Sequence, residues 1–213
     1  MNQARNMMIA GLTDGLEPVR AFNPRDGFAM LGLASLAVVA IVHLTKGLWF
    51  DGLGGTATPF FWLANGLILV LGLAAAATII HMASPWVGNR HETPVWASAM
   101  VGVLPITVLI SALSHNSGVV DLTDEHALGC VTASIASAFG VGGALVLWLR
   151  RGAPVSPNLA GWFTGIAAGA LGTVYYGVAC PTDTMAHLGI WHIVPIIISA
   201  MVGRLVVPSL IRW

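Results

Sequence analysis

The run FFWLANGLILVLGLAAAATIIHMA, residues 60–83, decides the fold, because none of its residues is Asp, Glu, Lys or Arg. An α-helix rises 1.5 Å per residue, so a run of this size reaches across a hydrocarbon core of about 30 Å. Five further apolar runs flank it, at 28–44, 95–113, 127–149, 159–178 and 187–207. The first of them is short and extends toward Trp49 if Lys46 snorkels to the interface. Short segments rich in turn residues, charge or proline separate the runs, at 51–59, 84–94, 114–126, 150–158 and 181–186. In lipid each backbone polar group must be satisfied within its own segment. The expectation is therefore an all-α integral membrane bundle of six transmembrane helices with short loops, sequential helices packing as neighbours.

Composition agrees. Of 213 residues 56% are hydrophobic and 8% charged, with mean hydropathy +0.82, whereas a soluble domain carries about 25% charged residues. Membrane lipid is thus a partner for most of the surface. Nine Lys plus Arg balance nine Asp plus Glu, which leaves no basic face to neutralise phosphates and excludes direct nucleic acid binding. Cytoplasmic loops retain Lys and Arg. With the N-terminus inside, Arg5, Arg20, Arg25, Arg90, Arg150, Arg151, Arg204 and Arg212 are cytoplasmic, against Lys46 alone near the outer face. Both termini are then expected in the cytoplasm, with residues 1–27 as a cytosolic tail and 28–213 as the membrane domain. No cleavable signal peptide is expected, since residues 1–27 are polar and contain Pro18 and Pro24.

Enzyme motifs are missing: there is no GxSxG, no HExxH and no phosphate-cradling glycine loop. Transport is weakly supported, because the runs lack ionisable groups at central depth and offer only Asn65, Pro105 and Pro195. The cysteines say more. Cys130 opens the fourth run and Cys180 follows the fifth, so the topology puts both at the outer, oxidising face. A disulfide or a shared metal ion is open to them if their Cα atoms come within about 7 Å, and so is a plain role as small buried packing residues. His43, His115, His126 and His187 fall at the same face, with His192 about a turn deeper. His126 precedes Cys130 by four residues and shares its face if the helix starts early. With Asp183, such a set suits zinc or cadmium, although interfacial histidines touching water have the same pattern.

Other features are structural. Trp49, Trp62, Trp86, Trp96, Trp148, Trp162, Trp191 and Trp213 lie near the run ends, where indole is stable at headgroup level. Gly161, Gly165, Gly169 and Gly172 leave one face of the fifth run bare, for packing within the chain or for a homodimer, and Gly140, Gly142 and Gly143 offer the same in the fourth. In the tail, Met7, Met8, Ile9, Leu12 and Leu16 line one side of a short helix, which docks on a partner or rests on the membrane.

The segment from Leu149 through Arg150, Arg151, Gly152, Ala153 and Pro154, then Pro157, the small-residue fifth run ending at Cys180 and Pro181, Trp191, and the terminal Leu210-Ile211-Arg212-Trp213 together resemble NrsF-type negative regulators of extracytoplasmic-function sigma factors. Leu12, Asp14, Leu16, Pro18, Val19 and Arg20 resemble that family's pattern before the first span. The resemblance implies a non-enzymatic anti-sigma factor of the bacterial inner membrane. Its tail, through those six residues, would sequester an extracytoplasmic-function sigma factor, and Cys130 and Cys180 would sense metal or oxidative stress. His192 stands where the family tends to have an aromatic, and with His187 it implies either a more metal-adapted outer site or simply a variant one. Arg150, Arg151 and Pro154 lie in the loop joining the two cysteine-bearing runs and are candidates for a relay. A membrane thiol oxidoreductase or metal transporter is the alternative.

Overall fold

The computed structural model describes residues 2–14, 22–84, 93–114 and 124–211. Among these, all regular structure is helical: α1 Asn2–Thr13, α2 Pro24–Lys46, α3 Pro59–Met82, α4 Thr93–Ser114, α5 Ala127–Leu149, α6 Pro157–Gly177 and α7 Val194–Leu210. Two single turns wound wider than an α-helix, Gly52–Thr56 and His187–Trp191, precede α3 and α7. Helices α2 to α7 fall on the six apolar runs, with ends moved by a few residues. Proline in the first turn starts α2, α3, α6 and α7, where a missing N–H costs nothing. The Asn23 side chain caps α2 by accepting from the Arg25 N–H, and Thr58 does the same for Phe61 in α3. Gly47 ends α2 at φ 76°, a left-handed conformation that favours glycine.

Among the described residues, four segments are long and apolar enough to cross a membrane: Pro24–Lys46, Pro59–Met82, Ala127–Leu149 and His187–Leu210. This narrows the expectation of six. The apolar stretch of α4, Val95–Ile110, is shorter. Helix α6 has spent its composition on packing: its Gly, Thr and Tyr residues dilute the hydropathy, and nearly all of Ala160 to Val174 is buried. Leu33, Leu36, Leu44, Phe139, Leu147, Ile197 and Leu205 are exposed on the outside of the bundle, as an apolar solvent requires.

Helix α6 is the centre, packed on α7, α5, α3 and α2. Its glycines explain why. A Cβ at Gly161 would stand 2.6 Å from the carbonyl oxygen of Gly203, one at Gly165 2.1 Å from that of Ser199, and one at Gly169 2.8 Å from the Cα of Ile196, so α7 lies backbone to backbone on this stripe. Gly172 meets α5 in the same way, 2.6 Å from the Ala138 nitrogen. The stripe is thus covered within one chain and offers no face for a homodimer. Gly140 admits Val38 of α2 and Gly142 meets Ala168, whereas Gly143 meets nothing. The expected pairing of sequential helices holds only in part, because α2 packs chiefly on α5 and α4 packs on α3 and the His187–Trp191 turn.

At the end of the bundle where α5 finishes, Trp148 is a core residue and not an interfacial one. Its Nε1 donates to the Ile80 carbonyl at 3.2 Å, its ring lies 4.4 Å from that of Phe22, and Gly27 leaves room for it. Trp62 and Trp96 are exposed, while Trp86 and Trp213 lie outside the described residues, as do Arg90, His115 and Arg212. Beyond Phe22, α1 carries Met7, Met8, Ile9 and Leu12 in the open, each more than half exposed.

Gly165→Ala is expected to destabilise the bundle by about 1–3 kcal/mol, since a backbone carbonyl cannot move aside as a side chain can. Gly143→Ala should be as stable as the parent or more so, because alanine is the better helix former and the space is open. Thermal unfolding of both variants in detergent checks the pair.

Candidate functional site

Four buried side chains converge where α5 begins and α6 ends. Cys130 lies in the first turn of α5, Cys180 follows α6 with its N–H bonded to the Gly177 carbonyl at 3.1 Å, and His187 and His192 bracket the wide turn before α7. All ligand atoms of the four lie within 4.8 Å of one another. The two sulfurs are 3.4 Å apart as free thiols, and His187 Nε2 is 3.5 Å from Cys180 Sγ. The Tyr176 hydroxyl, on α6, lies 3.8 Å from Cys130 Sγ.

The wide turn makes the histidines neighbours. Residues five apart in an α-helix point about 140° away from each other at 3.6 residues per turn. Hydrogen bonds from i to i+5 widen the turn and close that angle, and the two imidazole rings stand 5.4 Å apart. Behind them, Asp124 Oδ2 accepts from His187 Nδ1, while Asp124 Oδ1 accepts the His126 backbone N–H at 2.9 Å. Burial pushes the Asp124 carboxyl up, but the His187 and His126 hydrogen bonds outweigh it and hold the group below the usual carboxylate range. The Cys180 thiol is pushed up, first by its contact with Cys130 and then by burial.

This donor set can do two things. Two thiols at 3.4 Å need to close by little more than 1 Å to form a disulfide of about 2.05 Å. Alternatively, tetrahedral coordination with metal–sulfur bonds of about 2.3 Å and metal–nitrogen bonds of about 2.0 Å puts sulfurs about 3.8 Å apart and sulfur and nitrogen about 3.5 Å apart. The observed 3.5 Å matches the sulfur–nitrogen edge, and the 3.4 Å sulfur pair lies between the disulfide and the metal-bound separations. His192 supports it: the ring is fully buried and neither nitrogen has a hydrogen-bond partner, an arrangement that costs free energy unless a ligand takes it up.

Two expected ligands stand elsewhere. The His126 side chain is 66% exposed and lies 3.8 Å from Asp124, away from the cluster, although its carbonyl accepts the Cys130 N–H at 2.9 Å. Asp183 is engaged in closing the loop onto α3, its Oδ2 accepting the Thr58 N–H at 2.9 Å. Asp124 was not foreseen, since its partner is 63 residues away in sequence and it reads as one more loop carboxylate. Of the tail residues, Leu12 is exposed on α1 and Asp14 follows it, while Leu16, Pro18, Val19 and Arg20 lie outside the described residues. Arg150 and Arg151 are exposed and Pro154 is half-buried in a loop tied to the end of α3 by the Ala153 N–H on the Ala83 carbonyl, 2.9 Å.

An all-helical chain with an apolar exterior, a buried thiol and imidazole cluster at one end and an exposed apolar helix leading into the other has the parts of a regulator. Residues 12–213 match the NrsF family, negative regulator of sigma F, and the chain belongs to that family of anti-sigma factors. Over 160 residues it is 27% identical to the anti-sigma-F factor NrsF of Caulobacter vibrioides, and 25% identical to the probable anti-sigma-F factor NrsF of Azospira oryzae, with 73% of each chain covered in both cases. No solved structure matches it.

Mild oxidation of the detergent-solubilised chain with a diazene dicarboxamide should join Cys130 to Cys180 within one molecule, read as the cross-linked peptide by mass spectrometry. The sign for acid follows from Asp124. Its carboxyl is held below 3.8, so its contribution to stability is present above that value and is lost as pH falls through the lowered one. The thermal midpoint of Asp124→Asn should therefore respond less to acid than that of the parent.

Proposed function

We propose that this chain is a transmembrane anti-sigma factor that holds an extracytoplasmic-function sigma factor at the bacterial inner membrane and releases it on a metal or oxidative signal. Helices α2 to α7 are read as six spans with both termini cytoplasmic. On this reading the cluster lies near the periplasmic face, and residues 1–27, including Leu12, Asp14, Leu16, Pro18, Val19 and Arg20, bind the sigma factor. Cys130 and Cys180 receive the signal, either by losing two hydrogens to an oxidant and forming a disulfide or by taking zinc or cadmium together with His187 and His192.

One observation carries the proposal: a single helix joins the cluster to the root of the tail. Cys130 and Trp148 are the first and last functional positions of α5. Their separation of eighteen residues is about five turns and about 27 Å, so both face the same side. Trp148 holds Phe22, beyond which α1 is exposed. Closing the two sulfurs, or setting them about a metal, shifts the start of α5 and with it the seat of Phe22. The loop with Arg150, Arg151 and Pro154 begins one residue after α5 ends and passes the same shift to α6. A coupling of 1–3 kcal/mol, a 5- to 150-fold change in affinity, is typical of such links.

The test is recovery of cytosolic proteins on the solubilised chain beside a version lacking residues 1–25. One sigma factor, captured by the reduced full chain and lost on truncation, is the expected result. Oxidant or cadmium should weaken the capture 5- to 150-fold, and Cys130→Ser with Cys180→Ser should abolish that response while leaving capture intact. If neither version recovers a sigma factor, while the purified protein turns over thiols or moves metal across vesicles, the membrane oxidoreductase or transporter reading replaces this one.

A further inference from the structure

A histidine that binds a metal through one ring nitrogen ordinarily donates the proton on the other to an oxygen behind it, which fixes the tautomer and the ring direction. For His187 that oxygen is in place. Nδ1 meets Asp124 Oδ2, so Nε2 presents its lone pair to the sulfurs, 3.5 Å from Cys180 Sγ. For His192 both nitrogens lack a partner, although the ring is fully buried.

Close to His192 lies a second unpaired group, Asn65 on α3. Its amide nitrogen donates to the Phe61 carbonyl at 3.0 Å, which pins the side chain, and its Oδ1 is buried with no partner. Gly177 brings the two together. A Cβ there would stand 2.5 Å from Asn65 Oδ1 and 3.5 Å from His192 Cε1, the carbon between the two ring nitrogens. An acceptor without a donor and an imidazole without an acceptor thus both lie against Gly177, whose missing side chain lets Asn65 Oδ1 approach. Buried polar groups are rarely left unpaired, and an unpaired amide oxygen beside an imidazole whose two nitrogens are both unpaired points to an arrangement completed by something bound.

We infer that Asp124 and Asn65 are positioning residues for a tetrahedral site, Asp124 behind His187 and Asn65 behind His192, directly or through one water, in which Cys130, Cys180, His187 and His192 take a thiophilic divalent cation. The inference rests on the metal branch of the function proposed above. Charge supports the ligand set: two thiolates and two neutral imidazoles around a divalent cation sum to zero, as an apolar interior demands. Asp124, a formally charged neighbour, sits at the partly exposed edge.

The experiment titrates zinc, in competition with a chromophoric chelator, into the reduced full-length chain in detergent, and follows cadmium by its ultraviolet thiolate-to-metal band. The parent should bind one ion per chain. Asp124→Asn and Asn65→Leu should each weaken binding by about 10- to 100-fold, with the stoichiometry and the cadmium band unchanged. Asp124→Glu should recover part of the loss. Disulfide formation between Cys130 and Cys180 in the metal-free variants reports that the thiols are still adjacent. If the parent binds zinc and both variants bind it as tightly, or if Asp124→Glu is no better than Asp124→Asn, the assignment of positioning residues is overturned. If the parent binds neither zinc nor cadmium yet still forms the disulfide, the metal branch itself falls and the oxidative branch remains.

Discussion

The bare face of α6 is the constraint on which the rest of the molecule depends. With the Ser199 carbonyl occupying the place a side chain would take at Gly165, and the Gly203 carbonyl doing so at Gly161, α7 has one position against α6. That position brings the turn before α7 alongside the residues that follow α6. His187 and His192 come to Cys180 for this reason. Gly172, on the same helix, seats α5 and so delivers Cys130. Inside a membrane the hydrophobic effect does not press helices together, and dispersion between closely fitting backbones does that work. Four reactive side chains from three parts of the chain are thus located by residues that have no side chains at all.

How much of this the sequence discloses depends on the range over which each feature is determined. Helix positions are legible because an apolar run and its proline start are local, and α5 occupies the very residues, 127–149, that the run marks. The cysteine pair is legible at the level of membrane depth. Its completion by His187 and His192 is harder to see, since a regular helix separates residues five apart and only the wide turn reunites them. His126 stands outside the cluster although it is one helical turn from Cys130, its side chain being exposed at the start of α5. The contact of Asp124 with His187 is not legible in the sequence, because it joins residues 63 apart. The number of crossings is blurred where α6 trades hydropathy for packing.

The two ends of the bundle are built differently. Around the cluster, Asp124 accepts from His187 Nδ1, and Asp183 accepts the Thr58 N–H and, through its carbonyl, the Thr58 hydroxyl. At the other end, Phe22, Gly27 and Ile80 close on Trp148 chiefly through shape. Dense packing transmits a displacement with little loss, which is the property that the proposed coupling along α5 requires.

The exposed helix α1 is joined to this seat by a short stem. From Thr13 to Phe22 the chain spans at most roughly 30 Å even when fully extended. A protein that covers Met7, Met8, Ile9 and Leu12 is therefore confined to a thin shell beside the bundle. Any second contact it makes with the loops at that end is then intramolecular, at an effective concentration on the order of millimolar. A weak grip on twelve residues of helix can in this way become a long residence, and loosening the root of the stem would end it.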